Sequence, residues 1–439
     1  MLLLVGEHDM ITVSCFSSKE KKLHGPTNHT PVHIALKKFF SRIDWSKMTR
    51  PTQFVTLSDA QNRVLSIDLS SRVSLPPFLK AEMDGYAVRS DDTRRASTKH
   101  PILLEFIGRI TAGQNTHLTI EPRKTAAIAT GSRVPKGANA VVMIEHTRLQ
   151  DNTVQIFKRV EFGENITLKG QDVKSGQILL KKGTWLTSQD LGIIASIGLS
   201  KVSVYKKPVV AVLSTGDELT EPGSKLENAC IFESNRYMIS SMVREFGGEV
   251  VDLGICKDNR DAILCRLKKA LKFDMVVVSG GASVGEKDYL PGLIKNLGKP
   301  GLIVHGIAMK PGSPTGLGIV NYKPIIISPG FPVSSFVAFY TFGRPLLLRL
   351  LKTEGLPESK LTARMAADVN EHKFRRFVRV NVVKQNGSYW AKPVSVSDAG
   401  LLSTLTKSNG IVIMEDGSRL MKGEIVDVIL LRNVYGVST

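Results

Sequence analysis

The chain has 439 residues, 42% of them hydrophobic and 23% charged, a balance that excludes wholesale disorder, collagen and a disulfide scaffold and leaves room for about three domains. Lysine and arginine outnumber aspartate and glutamate by 59 to 40, and the resulting +19 points to anionic partners: nucleic acid, acidic lipid or phosphorylated small molecules. Cys15, Cys230, Cys256 and Cys265 lack CxxC spacing, which disfavours a zinc site, and no apolar stretch reaches the ~18 residues of a membrane helix. The opening Met1-Leu-Leu-Leu-Val has no basic residue before it and reads poorly as a signal peptide, so a cytoplasmic protein is expected.

Residues 1–29 read as a polar arm. From about Pro31 to Arg63 the apolar residues Val32, Ala35, Leu36, Phe39 and Phe40 fall at helical spacing. Residues 75–160 carry short β-rich runs (Ile102-Leu-Leu-Glu-Phe-Ile, Thr125-Ala-Ala-Ile-Ala, Ala140-Val-Val-Met-Ile) between glycine-rich turns, the pattern of a compact β domain. Glycine turns at Gly170, Gly176 and Gly183 follow, with a short helix expected from Gln189 to Ile197. Between 206 and 350 strands alternate with helices. Val209-Val-Ala-Val-Leu, Glu249-Val-Val-Asp-Leu and Met275-Val-Val-Val are uninterrupted apolar strands, which argue for a parallel sheet covered on both faces. Ser234 and Asp258 are placed to cap the intervening helices. The stretch 358–439 holds a β-rich run from Phe377 and the hairpin signal Asn386-Gly387, suggesting a second small β domain of barrel type.

Ligands of open α/β sheets bind beyond the carboxyl ends of the strands. Three polar loops fall there: Ser214-Thr-Gly-Asp-Glu-Leu, Ser279-Gly-Gly-Ala-Ser-Val-Gly-Glu-Lys-Asp, and Lys310-Pro-Gly-Ser-Pro echoed by Pro329-Gly-Phe-Pro-Val-Ser. The glycines of the second suit a phosphate, and Asp217, Glu218, Asp258 and Asp288 are hard oxygen ligands of the kind Mg²⁺ requires. Lys310 adds a positive charge for a phosphate or oxyanion, and the absence of GxxxxGK[ST] excludes a P-loop nucleotidase. Each feature has a plainer reading as a tight turn, a helix cap or a solvated charge, but together the loops converge on one sheet edge. His305 reads as a satisfied core residue, Cys256 and Cys265 as small buried apolar residues, and Arg375-Arg376 as solvated surface. Arg376 and Arg379, three apart, would face opposite sides of a strand.

These loops, with Met83-Asp-Gly-Tyr-Ala-Val, Thr130-Gly-Ser-Arg-Val-Pro-Lys-Gly-Ala-Asn-Ala-Val-Val and Ser234-Asn-Arg-Tyr in order along residues 30–439, closely resemble the molybdopterin molybdotransferases, the MoeA and gephyrin E-domain family, in an archaeal-type form. The resemblance implies an elongated multidomain α/β plus β subunit. A helical and extended linking domain would comprise 30–74 and 161–205, with an inserted β domain at 75–160. An α/β domain at 206–350, like molybdopterin adenylyltransferase, and a C-terminal β-barrel at 358–439 would complete it.

The family is homodimeric and inserts molybdate or tungstate into adenylylated molybdopterin with Mg²⁺, releasing AMP. By resemblance Asp84, Asp172, Asp217, Glu218, Asp258, Asp288 and Lys310 would be catalytic, with Asp217, Glu218, Asp258 and Asp288 holding Mg²⁺ or orienting the attacking oxygen. Thr130, Gly280, Gly281, Ser283, Gly285, Pro311, Ser313, Pro329, Pro332, Ser334 and Arg376 or Arg379 would bind substrate. Ser313 stands where many members carry a second lysine, Asn139 where an aspartate is common and Phe331 where an asparagine is common. Partners implied are molybdopterin adenylyltransferase and recipient molybdo- or tungsto-enzymes, with neither membrane nor nucleic acid. Two alternatives share the α/β domain: adenylylation of molybdopterin, and a non-catalytic molybdopterin-binding scaffold.

Overall fold

The structure, a computed structural model, describes residues 29–282, 288–355, 358–395 and 399–434. They form two units, one of residues 50–207 with 348–355 and one of residues 29–49 and 208–347 with the stretch from 358 onward.

The apolar runs of the latter unit build a six-stranded sheet. Its strands are β1 (Val209–Thr215), β2 (Glu249–Cys256), β3 (Met275–Ser279), β4 (Pro300–His305), β5 (Gly316–Val320) and β6 (Lys323–Ser328), in the order β2-β1-β3-β6-β5-β4. The pairs β1–β2, β1–β3 and β3–β6 are parallel, as the alternation of strand and helix predicts. β5 and β4 are antiparallel additions, since the two residues Asn321 and Tyr322 between β5 and β6 are too few for a crossover. Helices α1 (Asn235–Glu245), α2 (Arg260–Ala270), α3 (Tyr289–Leu297) and α4 (Pro332–Ala338) accompany the sheet. Ile263 and Leu267 of α2 and Leu290, Leu293 and Ile294 of α3 pack with Val276 and Val278 of β3 in one core. Cys256 is buried as expected, but Cys265 is exposed. Ile263, Leu267 and Ala270 hold the buried stripe of α2 and leave Cys265 on its far side.

The helical spacing read from Pro31 to Arg63 holds only for Val32–Arg42, which packs on β4 and β5. Pro51 cannot continue a helix, and Thr52–Thr56 is instead a strand. The C-terminal stretch supplies β7 (Lys360–Met365), β8 (Arg375–Gln385), β9 (Ser388–Ser395), β10 (Gly410–Met414) and β11 (Ile425–Leu430). Pairing runs β8-β9-β7-β11-β10 and returns to β8, so the five strands close into a barrel filled by Val378, Val380, Val382, Val412 and Val428. Asn386 and Gly387, at φ 47° and 76°, make the two-residue turn that their sequence signals.

The first-named unit contains a second six-stranded sheet: Ala140–Met143, Gly85–Val88, Lys124–Ile128, Ile102–Ile110, Thr153–Ile156 and Thr147–Gln150, in that spatial order. Three short antiparallel pairs join the flanking segments: Thr52–Thr56 with Lys201–Tyr205, Leu69–Ser70 with Ile178–Leu180, and Lys80–Ala81 with Ile166–Thr167. The helix expected at Gln189 starts one residue earlier, at Ser188, behind a Thr187–Asp190 capping box. No helix among the described residues is long and apolar enough to cross a membrane.

Candidate active site

The carboxyl ends of β1, β3 and β6 open on a cavity of about 890 Å³ lined by Thr215, Glu218, Asp258, Gly280, Asp288 and Pro329, among others. Glycine shapes its floor. Gly280 takes φ +95°, its N–H donates to Ser328 O at 3.0 Å, and a Cβ on it would stand 2.2 Å from Thr215 O. Asn235, in the first turn of α1, ties the strand ends together: Nδ2 donates to Ser279 Oγ at 2.8 Å and to Gly330 O at 2.6 Å. Sequence reasoning assigned Asn235 no role, yet a signal exists, because it heads the buried stripe continued by Ile239, Met242 and Val243. A polar residue on an apolar stripe needs a partner. Phe331 lines the cavity and is 64% exposed.

Ser234 does not cap α1 as expected. Glu233 Oε1 takes that place, accepting from the Arg236 N–H at 2.8 Å and the Ser214 hydroxyl at 2.9 Å, where a carboxylate also meets the positive helix end. The Arg236 side chain is itself buried. It donates to both Glu221 oxygens at 2.5 and 2.6 Å, bonds Asp252, and lies 3.7 Å from Glu233 Oε2. Burial opposes its charge, but Asp252, Glu221 and Glu233 outweigh it and hold the guanidinium above its ordinary value.

Of the four predicted metal-site carboxylates, Glu218, Asp258 and Asp288 line the cavity. Asp217 stands behind them, its Oδ1 accepting from the Asp258 N–H at 3.2 Å. Asp258 is not a helix cap, because Asn259 caps α2, accepting from the N–H groups of Asp261 and Ala262 at 3.0 Å each. Asp288 occupies the N-cap position of α3 without capping it. Among the described residues no three His, Cys, Asp or Glu side chains converge on one point, so a cation here would draw on at most two of them at once.

Lys310 meets the barrel. Met309–Lys310 pairs in parallel with Arg375–Arg376, placing Lys310 opposite Arg376 on one face. The expectation of a solvated Arg375-Arg376 fails: Arg375 is half-buried and pairs with the exposed Glu415 at 2.7 Å, and Arg376 is buried. Arg376 alternates with the core residues Val378 and Val380, is buried, and donates to Asn370 O at 3.1 Å. Burial holds its guanidinium below the ordinary value. Arg379 lies on the opposite face of the strand and donates to Ser395 Oγ at 2.7 Å, so only Arg376 neighbours Lys310. Pro311 is buried, Ser313 is half-buried with its carbonyl bonded to Ile307 N–H, and Pro314 reaches the cavity wall. Pro332 also lines the cavity; Ser334 is buried in α4, whose tie to β6 is Ser335 to Ser328 at 2.7 Å. His305 is satisfied as expected: Nε2 lies 2.7 Å from Ala282 O, an acceptor only, and so carries the hydrogen. Ser283 and Gly285 lie outside the described residues.

In the other unit the structure unites Asp84 with Thr130: Asp84 Oδ1 accepts from the Thr130 N–H at 2.7 Å and its hydroxyl at 3.0 Å. Asp172 is exposed on a turn, its N–H donating to Leu75 O. Asn139 is structural, its Oδ1 accepting from Ser90 N–H at 2.7 Å. The backbone bond and then the hydroxyl bond of Thr130 hold Asp84 below the usual carboxylate range. A depressed carboxylate contributes stability above its unfolded pKa and loses it as pH falls through the folded value. Carbon-13 titration should find Asp84 low in the native chain and only partly restored in Thr130→Ala, because the backbone N–H, the larger cause, remains. Full restoration would assign the shift to the hydroxyl alone.

Three family models match in succession: the MoeA N-terminal region (domain I and II) at residues 30–198, the probable molybdopterin binding domain at 211–349, and the MoeA C-terminal region (domain IV) at 362–431. A protein of Methanocaldococcus jannaschii named for molybdopterin biosynthesis is 35% identical over 92% of this chain and 99% of its own. The molybdopterin molybdenumtransferase of Bacillus subtilis is 33% identical over 88% of this chain and 91% of its own. A crystal structure of the MoeA protein of Pyrococcus horikoshii superposes with a TM-score of 0.78 at 32% identity, covering 92% of this chain and all of that one. With relatives of this similarity along nearly its whole length, the chain belongs to the MoeA family of molybdopterin molybdenumtransferases.

Proposed function

We propose that this chain inserts molybdate or tungstate into adenylylated molybdopterin and releases AMP. The observation that carries the reading is the convergence of Glu218, Asp258 and Asp288 with the glycine floor at Gly280-Gly281 on one cavity at the carboxyl edge of the sheet. Gly280 and Gly281, at φ +95° and +54°, let the loop lie against Thr215 and Leu290 in a conformation side chains rarely adopt, leaving bare backbone at the cavity edge. The donor set fits Mg²⁺, which takes one or two carboxylates and completes its shell with phosphate oxygens and water. Two of Glu218, Asp258 and Asp288 would hold it at a time, Asp217 fixing the Asp258 backbone, and the ion when bound would neutralise pyrophosphate charge.

Lys310 and Arg376, paired across adjacent strands, are the residues that attract the tetrahedral oxyanion; Ser313 adds a hydroxyl where other members add a charge. A water oxygen attacks one pyrophosphate phosphorus and forms a P–O bond as the bridging P–O bond breaks; AMP leaves with one phosphate and molybdopterin keeps the other. A homodimer working in the cytoplasm, with Asp84, Thr130 and Asp172 supplied by a second copy, completes the proposal. The cofactor then passes to recipient enzymes, and molybdopterin adenylyltransferase supplies the substrate. Matches to the MoeA N- and C-terminal regions favour this over adenylylation, which needs neither, and the carboxylates gathered on the cavity favour it over a non-catalytic scaffold. Incubation with adenylylated molybdopterin, Mg²⁺ and either oxyanion should release AMP, and molybdopterin with ATP should leave ATP unconsumed. ATP consumption without AMP release would assign the preceding step instead.

A further inference from the structure

The hairpin between β5 and β6 turns on Asn321 and Tyr322, at φ 48° and 62°. Asn386-Gly387 makes the same turn at 47° and 76°, with glycine in the second place, where a left-handed backbone then costs nothing. A tyrosine there is strained, and such strain persists where the side chain has a use. Its ring is 39% exposed on a cavity of about 470 Å³ that Arg42, Asp44, Lys47 and Lys299 also line. Lys47 Nζ and Lys323 Nζ stand 5.8 and 5.2 Å from the ring centroid. Asp44 is turned into its own loop, where Oδ1 accepts from the Ser46 hydroxyl at 2.5 Å and the Ser46 N–H at 3.2 Å. Among the described residues no carboxylate forms an ion pair with Arg42, Lys47, Lys299 or Lys323. Like charges gathered round one hollow repel, and an anion seated among them removes the repulsion. This cavity lies at the opposite edge of the sheet from the candidate active site. Lys323 begins β6, and the carboxyl end of β6, at Ser328, opens on the other cavity.

We infer that Arg42, Lys47, Lys299, Lys323 and Tyr322 form a second binding site, for a small anion that carries several linked phosphates. Lysine is a mobile point charge with three donors and follows the oxygens of a phosphate chain, and Arg42 adds a fork for one phosphate. One phosphate cannot meet four cations spread round the hollow; a chain of them can. The Tyr322 ring gathers two of the ammonium groups, and its hydroxyl donates to a further oxygen. A cavity of this volume is the size of a small-molecule site. The site is independent of the transferase reading and uses part of the +19 that the reading leaves unassigned.

Equilibrium binding of tripolyphosphate and of ATP to the full chain tests the site, in about 0.15 M salt so that scattered surface charge is screened. The native chain should bind tripolyphosphate at a site whose affinity falls about tenfold or more in the double variant Lys47→Ala with Lys299→Ala. The unfolding temperature of that variant should stay level or rise. Lys268→Ala with Lys269→Ala removes the same charge from the exposed end of α2 and should change affinity by about twofold or less. Tyr322→Gly restores the Asn-Gly form of the turn, so it should raise the unfolding temperature while weakening tripolyphosphate by about threefold or more. ATP bound more tightly than tripolyphosphate at this site names a nucleotide as the ligand; equal affinity names the phosphate chain alone. Three results overturn the site and leave the transferase reading intact. The native chain binds neither probe, or its affinity survives loss of Lys47 and Lys299 or falls equally with Lys268 and Lys269, or Tyr322→Gly is less stable and binds as well.

Discussion

Gly280→Ala should slow AMP release by about 100-fold or more, because displacement of a reacting group by ~1 Å is enough for a loss of that size. The added Cβ would lie 2.2 Å from Thr215 O and 2.9 Å from Thr215 Oγ1, at a φ of +95° that side chains rarely adopt. A backbone oxygen cannot swing aside as a side chain can, so the loop itself must move. The move takes with it the hydrogen bond from Gly280 N–H to Ser328 O and disturbs the floor on which the phosphate would rest. Strain of about 1–3 kcal/mol should also appear in denaturant unfolding. Gly176→Ala is the control. Its φ is +85° with nothing within 4 Å of the new Cβ, so it should cost about 1 kcal/mol and leave turnover unchanged. Equal kinetic losses in the two variants would show that the floor contacts are irrelevant to the reaction.

Arg236→Ala should destabilise its unit by about 3–5 kcal/mol, the usual consequence of removing one partner of a buried ion pair. Glu233, 3% exposed, would lose the Arg236 guanidinium 3.7 Å from its Oε2 while still receiving the Ser214 hydroxyl, and Glu221 and Asp252 would lose their ion pairs with it at the rim. The network lies next to Asn235 in sequence, so its loss should also loosen the tie between Ser279 and Gly330. Arg236→Lys keeps the charge but not the two terminal nitrogens that reach Asp252 and Glu221 separately, and should recover only part of the loss. Denaturant midpoints of the three proteins decide the point; an alanine variant as stable as the native chain would mean the network contributes nothing net.

Much of this was legible in the residues. Apolar runs such as Val209-Val-Ala-Val-Leu and Met275-Val-Val-Val define buried parallel strands, and Asn386-Gly387 defines its turn, because those signals are local. The loops at Thr215, Gly280 and Pro329 follow from topology alone, since parallel strands end on one edge. What escaped depends on neighbours that are distant in sequence. Lys310 beside Arg376 is a pairing between the α/β segment and the barrel, which no periodicity encodes. Asn259 rather than Asp258 caps α2, a choice between adjacent residues that capping preference alone cannot make. Cys265 was misread as buried because composition sets an average, whereas the stripe of Ile263, Leu267 and Ala270 decides the face.

The most direct test of the central claim is single-turnover AMP release from adenylylated molybdopterin with Mg²⁺, measured with and without molybdate or tungstate in the native chain and in Asp288→Ala. Release should require the oxyanion and fall by about 100-fold or more in the variant, as for loss of an electrostatic contact at the reacting group. Release that is independent of oxyanion, or equal in the two proteins, would contradict it.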